Sequence, residues 1–334
     1  MLVRRLIMSA CAILTVLMSS VTRAADTRAM DDKILDAVRT LRGTVVSAVP
    51  AGRATATYER REDLLKFDLV EVIPKHRAVI AFAGETSLVV HYAADDKTVN
   101  RVELWNSDSL TDYVAAEKGS TGSVRIVRTI KRSFRPDLTG WHYKDIAKIP
   151  NNDDDGEFFA DLKRYPNLKV LRDGQSVKVV AVYPIAPEYK HLVMANALEY
   201  EFDMRYGGML NRFRHVHKGV STTHTGEKRI REVDQVVTLS WRKANNGAIL
   251  PVQRIATTIT KSDAGAITHR VTSKIEFADF ALEPVSEDEL TMDRMGIPKD
   301  TVVVDSLSGL RWKYFPGAGA VRRSSTSKPV VERK

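Results

Sequence analysis

Along most of this chain, apolar and polar side chains take strict turns. In LEYEFDMRY, residues 198–206, Leu198, Tyr200, Phe202, Met204 and Tyr206 share one parity, and Glu199, Glu201, Asp203 and Arg205 share the other. Side chains on a strand alternate between faces, so such a run has one dry face and one wet face. The same period places Val233, Val237, Leu239 and Trp241 together, pairs Ile255 with Ile259, and sets Ile267, Val271, Ile275 and Phe277 against Thr272, Lys274 and Glu276. Upstream, RATATYERR, LLKFDLVEVI, HRAVIAFA, TSLVVHYA, TVNRVELWN, LTDYVAAE and SVRIVRTIKRSF predict further strands, rich in Val, Ile, Thr and Tyr and parted by short turns. One helix is predicted in MDDKILDAVRTLR, with Asp31 or Asp32 as N-cap and Ile34, Leu35, Val38 and Leu41 as its buried stripe.

Consecutive strands joined by short turns pair as an antiparallel meander, and a sheet of ten or more strands cannot stay flat. The expected fold is therefore mainly β: a large curled antiparallel sheet, a half-barrel, with the N-terminal helix as lid over its dry concavity. Pro136, Pro150 and Pro166, the acidic run NNDDDGE and the helical segment EFFADLKRY interrupt the β texture. The expected organisation is a leader over 1–24, the helix and first half of the sheet over 25–134, a connector with a short helix over 135–175, the second half of the sheet over 176–318, and a basic tail over 319–334.

The leader comes from MLVRR followed by LIMSACAILTVLMSSV and TRAAD: a basic start, an apolar stretch and small residues at a cut between Ala24 and Ala25 make a secretory signal peptide. Too few apolar residues precede Cys11 for a lipoprotein cleavage box. Cys11 is the single cysteine, so an exported chain that loses it has no disulfide, no thiolate metal site and no cysteine nucleophile. Its localisation is expected to be periplasmic. The formal charge of +9 falls to +6 once Arg4, Arg5 and Arg23 leave with the leader. With no basic stripe interleaved with aromatics, nucleic acid is not an expected partner.

Candidate chemistry is sparse. His215 and His217 lie two apart and project to one side of a strand, as paired imidazoles do in several metal sites, with His224 a turn later and His269 on the dry parity of its own strand. Arg212, Arg214 and Lys218 beside the pair would repel a cation. Asn151, Asp153, Asp155 and Gly156 have the start of a calcium loop, but its twelfth place is Leu162 where a bidentate carboxylate is needed, with Asp161 one short. There is no nucleophile elbow, P-loop or dinucleotide fingerprint. No catalytic residue, metal ligand set or cofactor is assigned.

The C-terminal half has a recognisable order. WRKANNGAILPVQRIATTITKSDAGAITHRVTSKIEFADFALEPVSEDELTM runs from a turn into a strand, through the hairpin turn SDAG, into a long strand, and IPKDTVVVDSLSGLRWKY closes it. This resembles the end of the outer-membrane lipoprotein carrier superfamily (LolA/LolB-like), in particular its long planctomycete-type relatives, over 30–45 and 198–305. The resemblance implies a curled sheet closed by helices around an apolar cavity for acyl chains; no pocket residue of the carriers has a counterpart here. The resulting expectation is a monomeric, non-enzymatic protein of the periplasm that binds a lipid or lipidated protein. Tyr200, Phe202, Met204, Trp241, Ile255, Ile275 and Phe277 are the expected lining. Two alternatives stand beside it: an envelope regulatory module of the RseB type with a membrane-protein partner, and a metal-dependent hydrolase using the histidines or the acidic turn.

Overall fold

The computed structural model describes residues 27–49, 51–93, 95, 97–106, 109–115, 122–128, 146–147, 149–150, 155–165, 167–182, 193–222, 226, 228–306 and 309–317. The leader with Cys11, the basic tail, Asn151, Asp153 and His224 lie outside them. The described residues form a mainly β fold, as the alternation predicts: an open, curled sheet of fifteen strands. In chain order these are β1 (Ala51–Leu64), β2 (Leu69–Ala83), β3 (Thr86–Tyr92), β4 (Val99–Trp105), β5 (Ser109–Val114), β6 (Ser123–Arg128), β7 (Lys169–Asp173), β8 (Ser176–Val182), β9 (Val193–Asp203), β10 (Met209–Thr222), β11 (Lys228–Lys243), β12 (Ile249–Lys261), β13 (Ile267–Ala281), β14 (Val302–Asp305) and β15 (Arg311–Lys313). Their order across the sheet is β15-β14-β6-β5-β4-β3-β2-β1-β13-β12-β11-β10-β9-β8-β7. The register is antiparallel for the meanders on either side, whereas β14 joins β6 in parallel.

Two compact units share this chain. Unit 1 gathers the residues up to Pro50, Thr57–Lys75 and Ser133–Ala278; unit 2 gathers Ala51–Ala56, His76–Arg132 and the chain from Asp279 on. Strand length is the reason the units interleave in sequence: β1, β2 and β13 each run from one unit into the other. LLKFDLVEVI and HRAVIAFA, which read as two strands, prove to be different pieces. Leu65–Phe67 is a 3-10 turn closed by Asp68 in the left-handed region, and β2 then continues unbroken through Pro74.

In unit 1 the dry sheet face lies under helices α1 (27–47) and α2 (Asp155–Leu162). Helix α1 is already formed at residue 27, so Asp31 and Asp32 sit inside it rather than capping it. Its buried stripe is Leu35, Val38 and Arg42, while Leu41 is exposed. The geometry is simple: Arg42 is seven residues, about two turns, from Leu35 and so nearly in line with it, whereas Leu41 is rotated by roughly a third of a turn.

In unit 2, Val102, Leu104, Tyr113, Val124 and Val303 form the dry face, packed against Val285, Leu290, Met295, Ile297 and Tyr314 from the C-terminal segment. The opposite face holds a buried carboxylate. Glu103 accepts a hydrogen bond from Trp105 Nε1 at 2.8 Å and lies 3.1 Å from Arg101 Nε and 3.5 Å from His91 Nε2. Arg101 also grips Asp112 through Nε and Nη2, at 2.7 and 3.0 Å. Burial pushes the Glu103 carboxyl up, but His91, Arg101 and Trp105 together outweigh it and hold the group below the ordinary glutamate range.

A carboxylate depressed in the folded state adds stability above its unfolded value near 4.3, and that stability is lost as the pH falls through the folded value. Glu103→Gln should therefore cost roughly 3 kcal/mol at pH 7. The gap between wild type and variant should close as the pH is lowered below about 4. Urea titrations of both proteins from pH 7 to pH 3 measure it; a gap independent of pH would mean that Glu103 is not the responsible charge.

Candidate functional site

The candidate site is the dry face of unit 1, which has a covered part and an open part. In the covered part, Phe158 of α2 meets Tyr200 edge-on at 4.9 Å and Phe159 meets Phe202 at 5.8 Å, while Tyr200 lies 5.3 Å from Phe213 on the neighbouring strand. Phe159, Phe202 and Phe213 are fully buried. Such ring pairs are offset or tilted, as their quadrupoles favour. Val237, Leu239, Ile275 and Phe277 continue this layer, and Trp241 donates its Nε1 hydrogen to Leu210 O at 2.9 Å.

Of the seven expected lining residues, Tyr200, Phe202, Trp241, Ile275 and Phe277 thus lie in the buried layer. Met204 does not: β9 ends at Asp203, and Met204–Tyr206 is a 3-10 turn whose N-cap carboxylate Asp203 accepts from Arg205 N. Ile255 faces the other way. It pairs with Thr238 and Lys274, and Thr238 pairs with Arg212, so all four stand on the wet face. The inward positions of β12 include Arg254, opposite Leu239 and Ile275, and the less apolar Ala256, Thr258 and Thr260, opposite Val237, Val271 and His269 respectively.

Two arginines fasten α1 to α2. Arg28 donates to the carbonyls of Tyr165 (3.3 Å) and Lys163, just past the end of α2 where the helix dipole is negative. Arg42, 1% exposed, donates from Nε to Asp155 Oδ2 at 2.6 Å in the first turn of α2, and from Nη2 to Ala147 O. Asp155, at the fifth place of the incomplete calcium-loop pattern, therefore serves as the counter-charge of a buried guanidinium. Under α1, Gly207 and Gly208 both have positive φ, and a Cβ on Gly208 would come within 3.0 Å of Val38 O. Glycine here gives α1 its seat on the sheet.

Beyond the helices the same face becomes polar and half-exposed. Cross-strand partners define its rows: Leu198, His215, Gln235, Thr258 and Val271 form one, and Asn196, His217, Val233, Thr260 and His269 the next. His215 Nε2 lies 2.8 Å from Asn196 Oδ1, and its ring is 6.3 Å from that of His217. Burial, with His217 adding to it, holds the His215 imidazole below the ordinary histidine range. His269 Nε2 is 2.8 Å from Glu62 Oε1, and Glu62 also accepts from Arg60 at 2.8 Å. Arg231 Nη2 donates to Thr260 Oγ1 at 3.3 Å. Sequence parity found all three histidines; Arg231, Arg60 and Glu62 it passed over, because only the register shows which face of a charged run they occupy.

The wet face is different in kind. A shallow, open depression with a cavity volume of about 10 Å³ there is lined by Lys178, Glu199, Tyr200, Glu201, Arg212 and Arg214. Its charges are paired, Lys178 with Glu199 at 2.8 Å and Arg214 with Asp234 at 2.9 Å. It is smaller than the several hundred Å³ typical of a ligand pocket. Among the described residues no three His, Asp, Glu or Cys side chains are placed to hold a metal ion. Among them, too, no helix is long and apolar enough to cross a membrane.

No family model matches the chain, and no curated protein matches it. Among solved structures, a DUF1329 family protein from Desulfovibrio piger is similar at 10% identity and a TM-score of 0.43, over 78% of this chain and 98% of that one. An isomerase-inactive variant of GphF DH1 is similar at 9% identity and a TM-score of 0.15, over 71% of this chain and 79% of that one.

Removing one partner of the α1–α2 clamp should be costly. Arg42→Ala is expected to lower stability by about 3 kcal/mol or more, since it opens a cavity and strands Asp155 and Ala147 O. Gly208→Ala should cost more than Gly174→Ala: both positions have positive φ, but nothing lies within 4 Å of a Cβ at Gly174. Urea midpoints of the three variants decide it; equal costs for the two glycine variants would remove the seat assigned to Gly208.

Proposed function

We propose that this protein is an exported, non-enzymatic binding protein of the bacterial envelope, which takes the apolar chain of a lipid or lipidated protein on the inner sheet face of unit 1. The observation that carries the reading is the continuity of that face. The aromatic layer under α1 and α2 passes, without a change of strand, into a floor that no described helix covers, where Val233 and Val271 lie half-exposed among Thr258, Gln235 and the histidines. The buried aromatics then form the closed end of the site, and the open rows receive the ligand.

Magnitudes separate this from permanent storage. Burying about 16 methylenes completely is worth roughly 12 kcal/mol gross. A chain laid on a half-open floor recovers about half of that, and ordering costs lower it again. An affinity in the range of about 0.1–1 mM is the expectation, weak enough for release. A carrier or sensor needs such reversibility.

The reading is tested by methyl NMR of the full chain titrated with a spin-labelled stearate. Saturable broadening is expected at Val233, Val271 and Thr258, with Val271→Glu weakening binding about tenfold. Broadening absent from these methyls, or spread evenly over the surface, would exclude the face as a ligand site.

A further inference from the structure

The open floor has a charge pattern that an apolar chain alone does not need. At its outer end, among the described residues, the Arg60 and Arg231 guanidiniums and the His269 imidazole share the face with the Glu62 carboxylate. Arg60 and His269 both lean on Glu62, at 2.8 Å each. Arg231 has no carboxylate partner among the described residues, and its Nη2 rests on the hydroxyl of Thr260. Thr260 is 5% exposed, lies directly opposite His269 and is paired on its other side with Val233, the neighbour of His217 in the same row. The guanidinium is thus held over the inner face, one strand from the His269 ring. An exposed guanidinium with no carboxylate partner among the described residues, one strand from an imidazole, attracts an anion, and its planar fork suits an oxyanion that accepts more than one hydrogen bond.

We propose that Arg231 and His269, with Thr260 beneath them, form a subsite for a phosphate ester, the headgroup of the amphiphile whose chain occupies the floor. The inference rests on the functional reading above and adds the ligand class. Neighbouring Val233 and Val271 then flank the first carbons of the chain, and Arg60 keeps Glu62 neutralised so that it does not repel the anion. Tetrahedral phosphate offers oxygens to the Arg231 fork and the His269 ring together.

Isothermal titration of the full chain with three probes below their micelle concentrations tests this: dodecyl phosphate, dodecyl maltoside and inorganic phosphate. Dodecyl phosphate should bind at least tenfold more tightly than dodecyl maltoside. Inorganic phosphate should bind weakly and shift the His269 imidazole resonances. Arg231→Gln should reduce the dodecyl phosphate affinity severalfold while leaving dodecyl maltoside binding unchanged, which also shows that the variant is folded, and His269→Gln should narrow the preference for dodecyl phosphate over dodecyl maltoside. Equal affinities for the two amphiphiles, or an Arg231→Gln effect of the same size on both, would overturn the headgroup subsite while leaving the chain-binding reading in place. Inorganic phosphate shifting His269 with no amphiphile bound would do the reverse, sustaining the anion subsite and overturning chain binding.

Discussion

Half of one sheet face in unit 1 is covered by two helices, and the cover is held by a buried charge. A greasy stripe alone would let α1 slide or roll on the aromatic layer, because dispersion contacts are individually small and non-directional. Arg42 removes that freedom. Its guanidinium meets a carboxylate at the start of α2 and a backbone carbonyl from the segment before it, so three pieces of chain far apart in sequence are fixed at one point. Such an ion pair is weak as a source of net stability but strong as a specifier, since a displaced helix would leave a charge buried without a partner. Where the helices stop is thereby set, and with it where the inner face lies open.

Parity carried the fold reading a long way, and its failures share one cause. Alternation identifies a strand and its two faces, but which face is inner depends on registers that the sequence does not print. At β9 the two agreed: Leu198, Tyr200 and Phe202 are buried. At Met204 the rhythm outlived the strand, because Asp203 caps a 3-10 turn that happens to keep the same alternation. At β12 the apolar parity is the wet one, and the isoleucines lie among the aliphatic stems of arginine and lysine, a placement that amphipathic side chains permit. Arg42 escaped for the complementary reason: a charged residue on the line of a buried stripe reads as its edge, until a partner more than a hundred residues away is known.

Unit 2 solves the same packing problem without a helical cover of comparable length. Its dry face is closed by the C-terminal segment, with Met295, Ile297 and Tyr314 standing where α1 and α2 stand in unit 1. Its other face carries the Glu103 cluster, in which the carboxylate neighbours Trp105, Arg101 and His91, and the guanidinium also grips Asp112. Low local dielectric strengthens such a network as long as it is complete and penalises it steeply when one member is lost. The cluster reads as structural: its members are occupied with each other, and the valines and leucine of β4 lie on the opposite face.

The contrast with the open floor of unit 1 is what gives that floor its meaning. In the Glu103 cluster the positive groups have carboxylates within reach, as a closed core demands. On the inner face of unit 1, Arg231 has only a neutral hydroxyl as partner among the described residues, and the His215 imidazole, whose protonation burial disfavours, meets an asparagine. The Glu103 cluster closes its charges on one another, whereas Arg231 is exposed and rests on a neutral hydroxyl, so the two faces differ in how their guanidiniums are balanced. The proposed headgroup would supply that missing charge, and Leu198, Val233 and Val271, set among the polar side chains of the neighbouring rows, are where its chain would lie.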